Sequence, residues 1–168
     1  MNKNNIELIE SFISCEEDKT LLINQVSDEI CCFYDFVIKN FTSKFDIKVT
    51  YKDKLDDIEG SNELFESKEI AIFNLSNTKL LEEIASRRFQ KIIFTDYKNY
   101  KKLLKKYIVI NGYNFVKDLK IFFNDYFEIN NEDLINYCIS QPYFIQSELS
   151  KYKINKSHYS TDPKNNDT

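Results

Sequence analysis

Two short stretches of this chain are apolar almost without interruption: residues 69–75 (EIAIFNL) and residues 91–95 (KIIFT). A strand with one wet face alternates apolar and polar side chains, whereas a strand without alternation has both faces covered. Strands of that kind belong to sheets that carry helices on each side. The segments around them fit. Residues 78–89 have Leu80, Leu81 and Ile84 on one helical face, and residues 97–107 place Tyr97, Tyr100, Leu104 and Tyr107 on another. Residues 108–110 read as a last short strand, stopped by Asn111-Gly112. Strand, helix, strand, helix, strand at this spacing predicts an α/β fold with a mostly parallel sheet.

Upstream, residues 45–51 (FDIKVTY) alternate and read as a strand. Residues 7–15 (ELIESFISC) read as a short first strand, and residues 19–41 as a long helix with Ile23, Val26, Ile30, Phe33, Val37 and Phe41 on its buried face. Ser14-x-x-Glu17 resembles a capping box for that helix. Beyond Gly112 the pattern changes to three short helices, residues 115–127, 132–140 and 142–152. The expected organisation is an α/β domain over residues 1–112, a small helical subdomain over 113–154 and a disordered polar tail over 155–168.

Composition narrows the chemistry. The net charge of −4 provides no general attraction to nucleic acid, so any DNA contact needs a local basic patch. The single histidine, His158, lies in the polar tail, so no histidine-based metal or catalytic cluster can be assembled. The four cysteines (15, 31, 32 and 138) have no CxxC spacing, and the adjacent Cys31 and Cys32, within an apolar helical pattern, are expected to be small buried hydrophobes rather than a metal site or disulfide. No signal peptide or membrane-spanning run is present, which leads to the expectation of a cytoplasmic protein without metal or cofactor.

The expected turn after the first strand, Ile13 to Thr20, has the length of a phosphate-binding loop and ends in Lys19-Thr20. It lacks both glycines, which the loop backbone needs to turn its N–H groups toward phosphate, and it carries Glu16, Glu17 and Asp18 where a polyphosphate would lie. Asp96 at the end of residues 91–95 is placed like a receiver-type phospho-acceptor, but no lysine follows the last strand, and a helix cap is the simpler role. Lys98, Lys101, Lys102, Lys105 and Lys106 line the outer face of one helix; their ordinary role is solvation, and their other use is contact with DNA or an acidic partner. No Ser/His/Asp or Cys/His arrangement can be built, so no intrinsic catalysis is expected.

The order of elements, the degenerate phosphate turn and the trailing three helices together resemble the delta subunit (HolA) family of the bacterial replicative clamp loader, part of the DNA polymerase III holoenzyme. The resemblance covers Ile6 to about Ile154. Members have an AAA+-like, P-loop-NTPase-like domain that binds no nucleotide, followed by a helical lid, and they open the ring-shaped sliding clamp (beta). The first turn of the family reads Gly-Glu-Glu; Ser14-Cys15-Glu16-Glu17 is similar to it. The family's clamp-contacting wedge is a Leu-Phe pair just before a strand, matched by Leu64 and Phe65 within Asn62 to Lys68, with Glu63 and Glu66 in place of the usual Ser and Gly. The last lid helix of the family often carries Glu-Leu-x-Lys, matched by Glu148-Leu149-Ser150-Lys151. The resemblance implies the sliding clamp and the other loader subunits as partners, DNA within that assembly, and no membrane. Two such side chains leaving water are worth about 3–6 kcal/mol, or about two to four decades of affinity before ordering costs. Without the resemblance, the same features describe a stand-alone interaction domain with a degenerate nucleotide-binding or receiver-like fold and no replication role.

Overall fold

The computed structural model describes residues 3–15, 17–24, 27–52, 69–75, 78–96, 105–150 and 154. They form an α/β fold with a fully parallel five-stranded sheet and flanking helices. Two compact units interleave in sequence: Met1–Cys15, Asp28–Phe45 and Asn114–Thr168 make one, Glu16–Ser27 and Asp46–Tyr113 the other.

The second unit holds the sheet. Its strands are β1 (Thr20–Asn24), β2 (Lys48–Lys52), β3 (Glu69–Asn74), β4 (Lys91–Thr95) and β5 (Ile108–Asn111), in the spatial order β2-β3-β4-β1-β5. The two apolar runs that defined the expected sheet are β3 and β4, paired in parallel with Phe73 opposite Ile93. Every residue of β1 and β4 is buried. Leu22, Ala71, Phe73 and Ile93 form one face of the core with Leu81, Ile84 and Ala85 of helix α3 (Thr78–Ala85) and with Phe89. On the alternate positions Leu21, Ile23, Ile72 and Ile92 are equally buried, so the central strands have no wet face. β2 lies at one edge, half exposed and bearing Lys48 and Lys52, which discourages pairing with another chain.

The start of the chain differs from the expectation. Residues 7–15 are not a strand; residues 7–14 lie in helix α1, Asn5–Ser14, and Cys15 is its C-cap. The capping box is Asn4 with Glu7, not Ser14 with Glu17: the Asn4 side chain accepts from the Glu7 N–H at 2.8 Å and the Glu7 carboxylate accepts from the Asn4 N–H at 3.1 Å. Ile6, Ile9 and Ile13 recur at helical steps and are all buried. The expected helix over residues 19–41 is two elements, β1 and then helix α2 (Asp28–Lys44). Leu21-Leu22-Ile23 satisfies a helical and a strand pattern alike, and only burial on both faces separates the two.

The first unit is helical: α1, α2, α4 (Phe115–Ile121) running into a π-helical turn (Phe122–Phe127), α5 (Glu132–Ser140), a 3₁₀ turn (Pro142–Phe144) and α6 (Ile145–Leu149). Its core is aromatic. Phe33, Phe36 and Phe41 of α2 meet Phe122 edge to face at ring separations of 5.8–6.1 Å. Such edge contacts contribute about 0.5–1.5 kcal/mol each beyond area burial. Three polar side chains converge within this unit: Tyr34 Oη donates to Asp118 Oδ2 at 2.6 Å, and Asn5 Nδ2 donates to the same oxygen at 3.0 Å.

Candidate functional site

In open parallel sheets, ligands bind beyond the carboxyl ends of the strands, where the connections diverge to either side. Here that place is the end of β1, whose neighbours are β4 and β5. Asn24 pairs in register with Thr95 and with Asn111. Asn24 and Thr95 are buried, and Asp96 beyond them is exposed. The Asn111 side chain is engaged locally, accepting from the Tyr113 N–H at 3.0 Å. The Asn24 amide is different: neither its nitrogen nor its oxygen has a hydrogen-bond partner among the described residues.

The true connection after β1 reads Asn24-Gln25-Val26-Ser27-Asp28. This corrects the sequence expectation. Lys19-Thr20 precede and open β1 rather than follow it, and Ser14 to Glu17 lie before the strand as well. The corrected connection has no glycine and no lysine. It is followed by Asp28 and Glu29 in the first turn of α2, where they complement the helix dipole and oppose an anion. Among the described residues of the sheet unit, those at the carboxyl ends of β1, β4 and β5 are the amides Asn24 and Asn111, the Thr95 hydroxyl and the Asp96 carboxylate, with no cation beside a place for polyphosphate.

Lys19 instead lies at the opposite, amino edge of the sheet. There Asp18, Lys19, Thr20, Ala85, Lys105, Lys106, Tyr107 and Ile108 line an open cleft of about 460 Å³. Lys19 pairs with Glu17 at 2.6 Å on the surface. Beneath Thr20 sits a buried cation, Lys91, the first residue of β4. Its Nζ is within 2.8 Å of the Arg87 carbonyl, 2.9 Å of the Phe89 carbonyl and 3.2 Å of Thr20 Oγ1, and lies 4.7 Å from the centre of the Phe89 ring. Burial lowers its pKa to about 8, with Asp18 acting in the opposite sense. Lys91 therefore holds the turn that follows α3 through the Arg87 and Phe89 carbonyls and reaches the last carbonyl of the helix, that of Ala85, at 3.4 Å.

Of the candidate residues read from sequence, Leu64 and Phe65 lie outside the described residues, as do Lys98, Lys101 and Lys102, His158 and the tail over 155–168. Lys105 is exposed and lines the amino-edge cleft together with Lys106. Asp96 is exposed at the end of β4. Glu148 is exposed and Leu149 buried at the end of α6. Cys31 and Cys32 are half-buried on α2 rather than part of the core. Burial, then the Asp35 carboxylate, pushes the Cys31 thiol up to about 12, and burial, then Glu148, pushes Cys138 up to about 11, so neither thiol is primed as a nucleophile. Among the described residues no group of three or more His, Cys, Asp or Glu side chains is arranged to hold a metal ion. No helix among them is long and apolar enough to cross a membrane.

Sequence reasoning missed Asn24, Lys91 and the Tyr34–Asp118–Asn5 cluster. Lys91 gave one faint signal, a lysine directly ahead of an otherwise apolar strand. Asp118 gave none, because its partners lie 84 and 113 residues away. No protein-family model matches the chain, and no curated protein matches it.

Proposed function

We propose that this chain is a non-catalytic, delta-like clamp-loader protein that binds the DNA sliding clamp and favours its open form. The observation that carries the reading is the strand order β2-β3-β4-β1-β5, with β1 between β4 and β5. That is the order of the P-loop ATPase sheets to which AAA+ domains belong. A receiver-type sheet, ordered 2-1-3-4-5, has β1 beside β2 and β3 instead. The connection after β1 supports the same reading, since it lacks the glycines and lysine of a working phosphate loop. Helices α4 to α6 follow the last strand, the place in the chain that the family's lid takes. The Leu64–Phe65 pair precedes β3, as the family's wedge precedes its strand.

In this reading clamp opening needs no hydrolysis in the subunit. Leu64 and Phe65 bind the open ring more tightly than the closed one, and the difference in affinity shifts the ring equilibrium. The test is surface plasmon resonance of the full chain over immobilised sliding clamp, with the Leu64→Ala/Phe65→Ala double variant alongside. Binding by the wild type and a loss of about two decades or more in the variant, with an unchanged circular dichroism spectrum, is expected. A wild-type chain that ignores the clamp leaves the stand-alone interaction domain as the better description. A double variant that unfolds assigns the pair to the core.

A further inference from the structure

A second surface, on the helical unit, has a composition that stands apart from the rest of the chain. Tyr137 on α5 and Tyr143 and Phe144 on the following 3₁₀ turn are 42%, 55% and 47% exposed. The Tyr137 and Phe144 rings stack at 6.3 Å with planes 27° apart. Pro142, Ile145 and Leu149 are buried and anchor the segment, and Asn131 caps α5 by accepting from the Leu134 N–H at 3.2 Å. Three large rings are thus held in place on the outside, where an isolated domain gains little from them.

The segment that carries these rings is acidic, and the cations beside it come from other elements, Lys39 next to Gln146 and Leu149 and Lys120 next to Glu132 and Asn136. Residues 121–150 contain no Lys or Arg, although the chain has 23, and they carry five carboxylates: Asp125, Glu128, Glu132, Asp133 and Glu148. Asp133 lies one helical turn before Tyr137, on the same face of α5. Asp28 and Glu29 are exposed in the first turn of α2, the helix on which the Pro142–Phe144 turn packs, and burial followed by these two charges raises the Tyr143 hydroxyl pKa. Two full charges outweigh the roughly half-unit of positive charge at the helix start.

We infer that Tyr137, Tyr143 and Phe144, bordered by Asp28, Glu29 and Asp133, form a docking surface for a lysine- or arginine-bearing segment of another protein. Charge complementarity selects the occupant. A cationic side chain laid over an aromatic face gains from the ring quadrupole as well as from the neighbouring carboxylates. Tyrosine is enriched among the residues that dominate interface energies. The inference concerns a surface separate in sequence from Leu64–Phe65 and does not rest on the clamp reading.

The experiment is fluorescence anisotropy of a labelled synthetic amphipathic peptide of arginine and leucine at helical spacing, titrated with the full-length chain. Binding by the wild type is expected, with a loss of about tenfold or more in Tyr143→Ser and in Phe144→Ser. Asp28→Asn with Glu29→Gln is expected to weaken binding and flatten its salt dependence. The same peptide with arginine replaced by glutamate is expected not to bind. Both ring substitutions are at exposed positions, and circular dichroism verifies the fold of each variant. Absence of binding overturns the inference. So does binding that is equal in all variants, which would be diffuse attraction to a chain of net charge −4. Self-association of the wild type in sedimentation velocity, abolished by Tyr143→Ser, also overturns it, by assigning the surface to a second copy of the chain.

Discussion

The Lys91 ammonium stands 2.8 Å from the carbonyl oxygen of Arg87, four residues earlier in the chain, and holds the turn between α3 and β4 from inside the protein. Phe89 closes over it, its carbonyl accepting at 2.9 Å and its ring lying 4.7 Å from the charge. Among the described residues no carboxylate lies at bonding distance from this cation, which is solvated by backbone carbonyls, the Thr20 hydroxyl and a ring face. The arrangement binds the amino ends of β1 and β4 to the end of α3 through Thr20, whose hydroxyl donates to the Ala85 carbonyl at 3.3 Å.

Lys91→Met keeps the stem and removes the charge, leaving buried carbonyls without their donor. A loss of about 1–3 kcal/mol in stability is expected, read from urea unfolding midpoints at constant slope. The pH dependence has a definite sign. The Lys91 pKa is about 8 in the folded protein against an ordinary 10.5, so between those values the unfolded chain binds more protons. Stability from this group therefore rises as pH rises through that window. The methionine variant should lack that slope between pH 8 and 10.5; an identical slope in both proteins would contradict the assignment.

Tyr34→Phe removes the hydroxyl that donates to Asp118 Oδ2 at 2.6 Å. About 1.5–3 kcal/mol of stability should be lost, since the acceptor is a buried carboxylate. Asp118 itself has a pKa raised by burial, partly countered by the bonds from Tyr34 and Asn5. Its folded form holds a proton at pH values where the unfolded form has released it, so this group favours folding at acid pH and the contribution falls as pH rises through the window just above the ordinary carboxylate pKa. In Asp118→Asn that dependence should vanish in thermal melts taken across the acid range, while Tyr34 and Asn5 retain an amide oxygen to donate to.

Asn24→Leu tests the carboxyl edge of the sheet. The asparagine amide is buried with no partner among the described residues, and a leucine of similar shape removes the desolvation cost. A gain of about 1–3 kcal/mol is expected from chemical unfolding. A loss instead would show that Asn24 makes hydrogen bonds in solution that matter to the fold.

Thiol chemistry should be slow. With Cys31 pushed up to about 12 and Cys138 to about 11, alkylation by iodoacetamide at pH 8, followed by mass spectrometry, should label both far more slowly than a free cysteine peptide. Rapid labelling of Cys31 in the folded protein would show that its environment is less buried than described.

The sheet was legible because its message is local. β4 is the expected 91–95 run without adjustment, and β3 differs from the expected strand by its last residue alone. Uninterrupted apolar residues such as Ile92-Ile93-Phe94 exclude a one-sided strand wherever they occur. The helices α3 and α5 were legible for the same reason, through spacing within a single turn or two. The first strand was not. Leu21, Leu22 and Ile23 are compatible with the helical spacing of Phe33, Val37 and Phe41 that follows, and no local cue separates them. The error displaced the phosphate turn by a whole element, and with it Lys19 from one edge of the sheet to the other.

What the sequence by itself determined is the α/β class, the apolar strands at the centre, the lack of a glycine-rich phosphate loop and the lack of a histidine cluster, since these depend on residue type and near-neighbour spacing. Only the tertiary structure decided the rest. The order β2-β3-β4-β1-β5 is a set of pairings between distant segments, and parallel strands carry no label for their neighbour. The Tyr34–Asp118 bond spans 84 residues, and the acidity around Tyr143 comes from Asp28 and Glu29, more than 100 residues earlier in the chain. Hydrogen bonds and charge act through distances of a few ångströms in space, and folding alone sets those distances between residues so far apart in sequence.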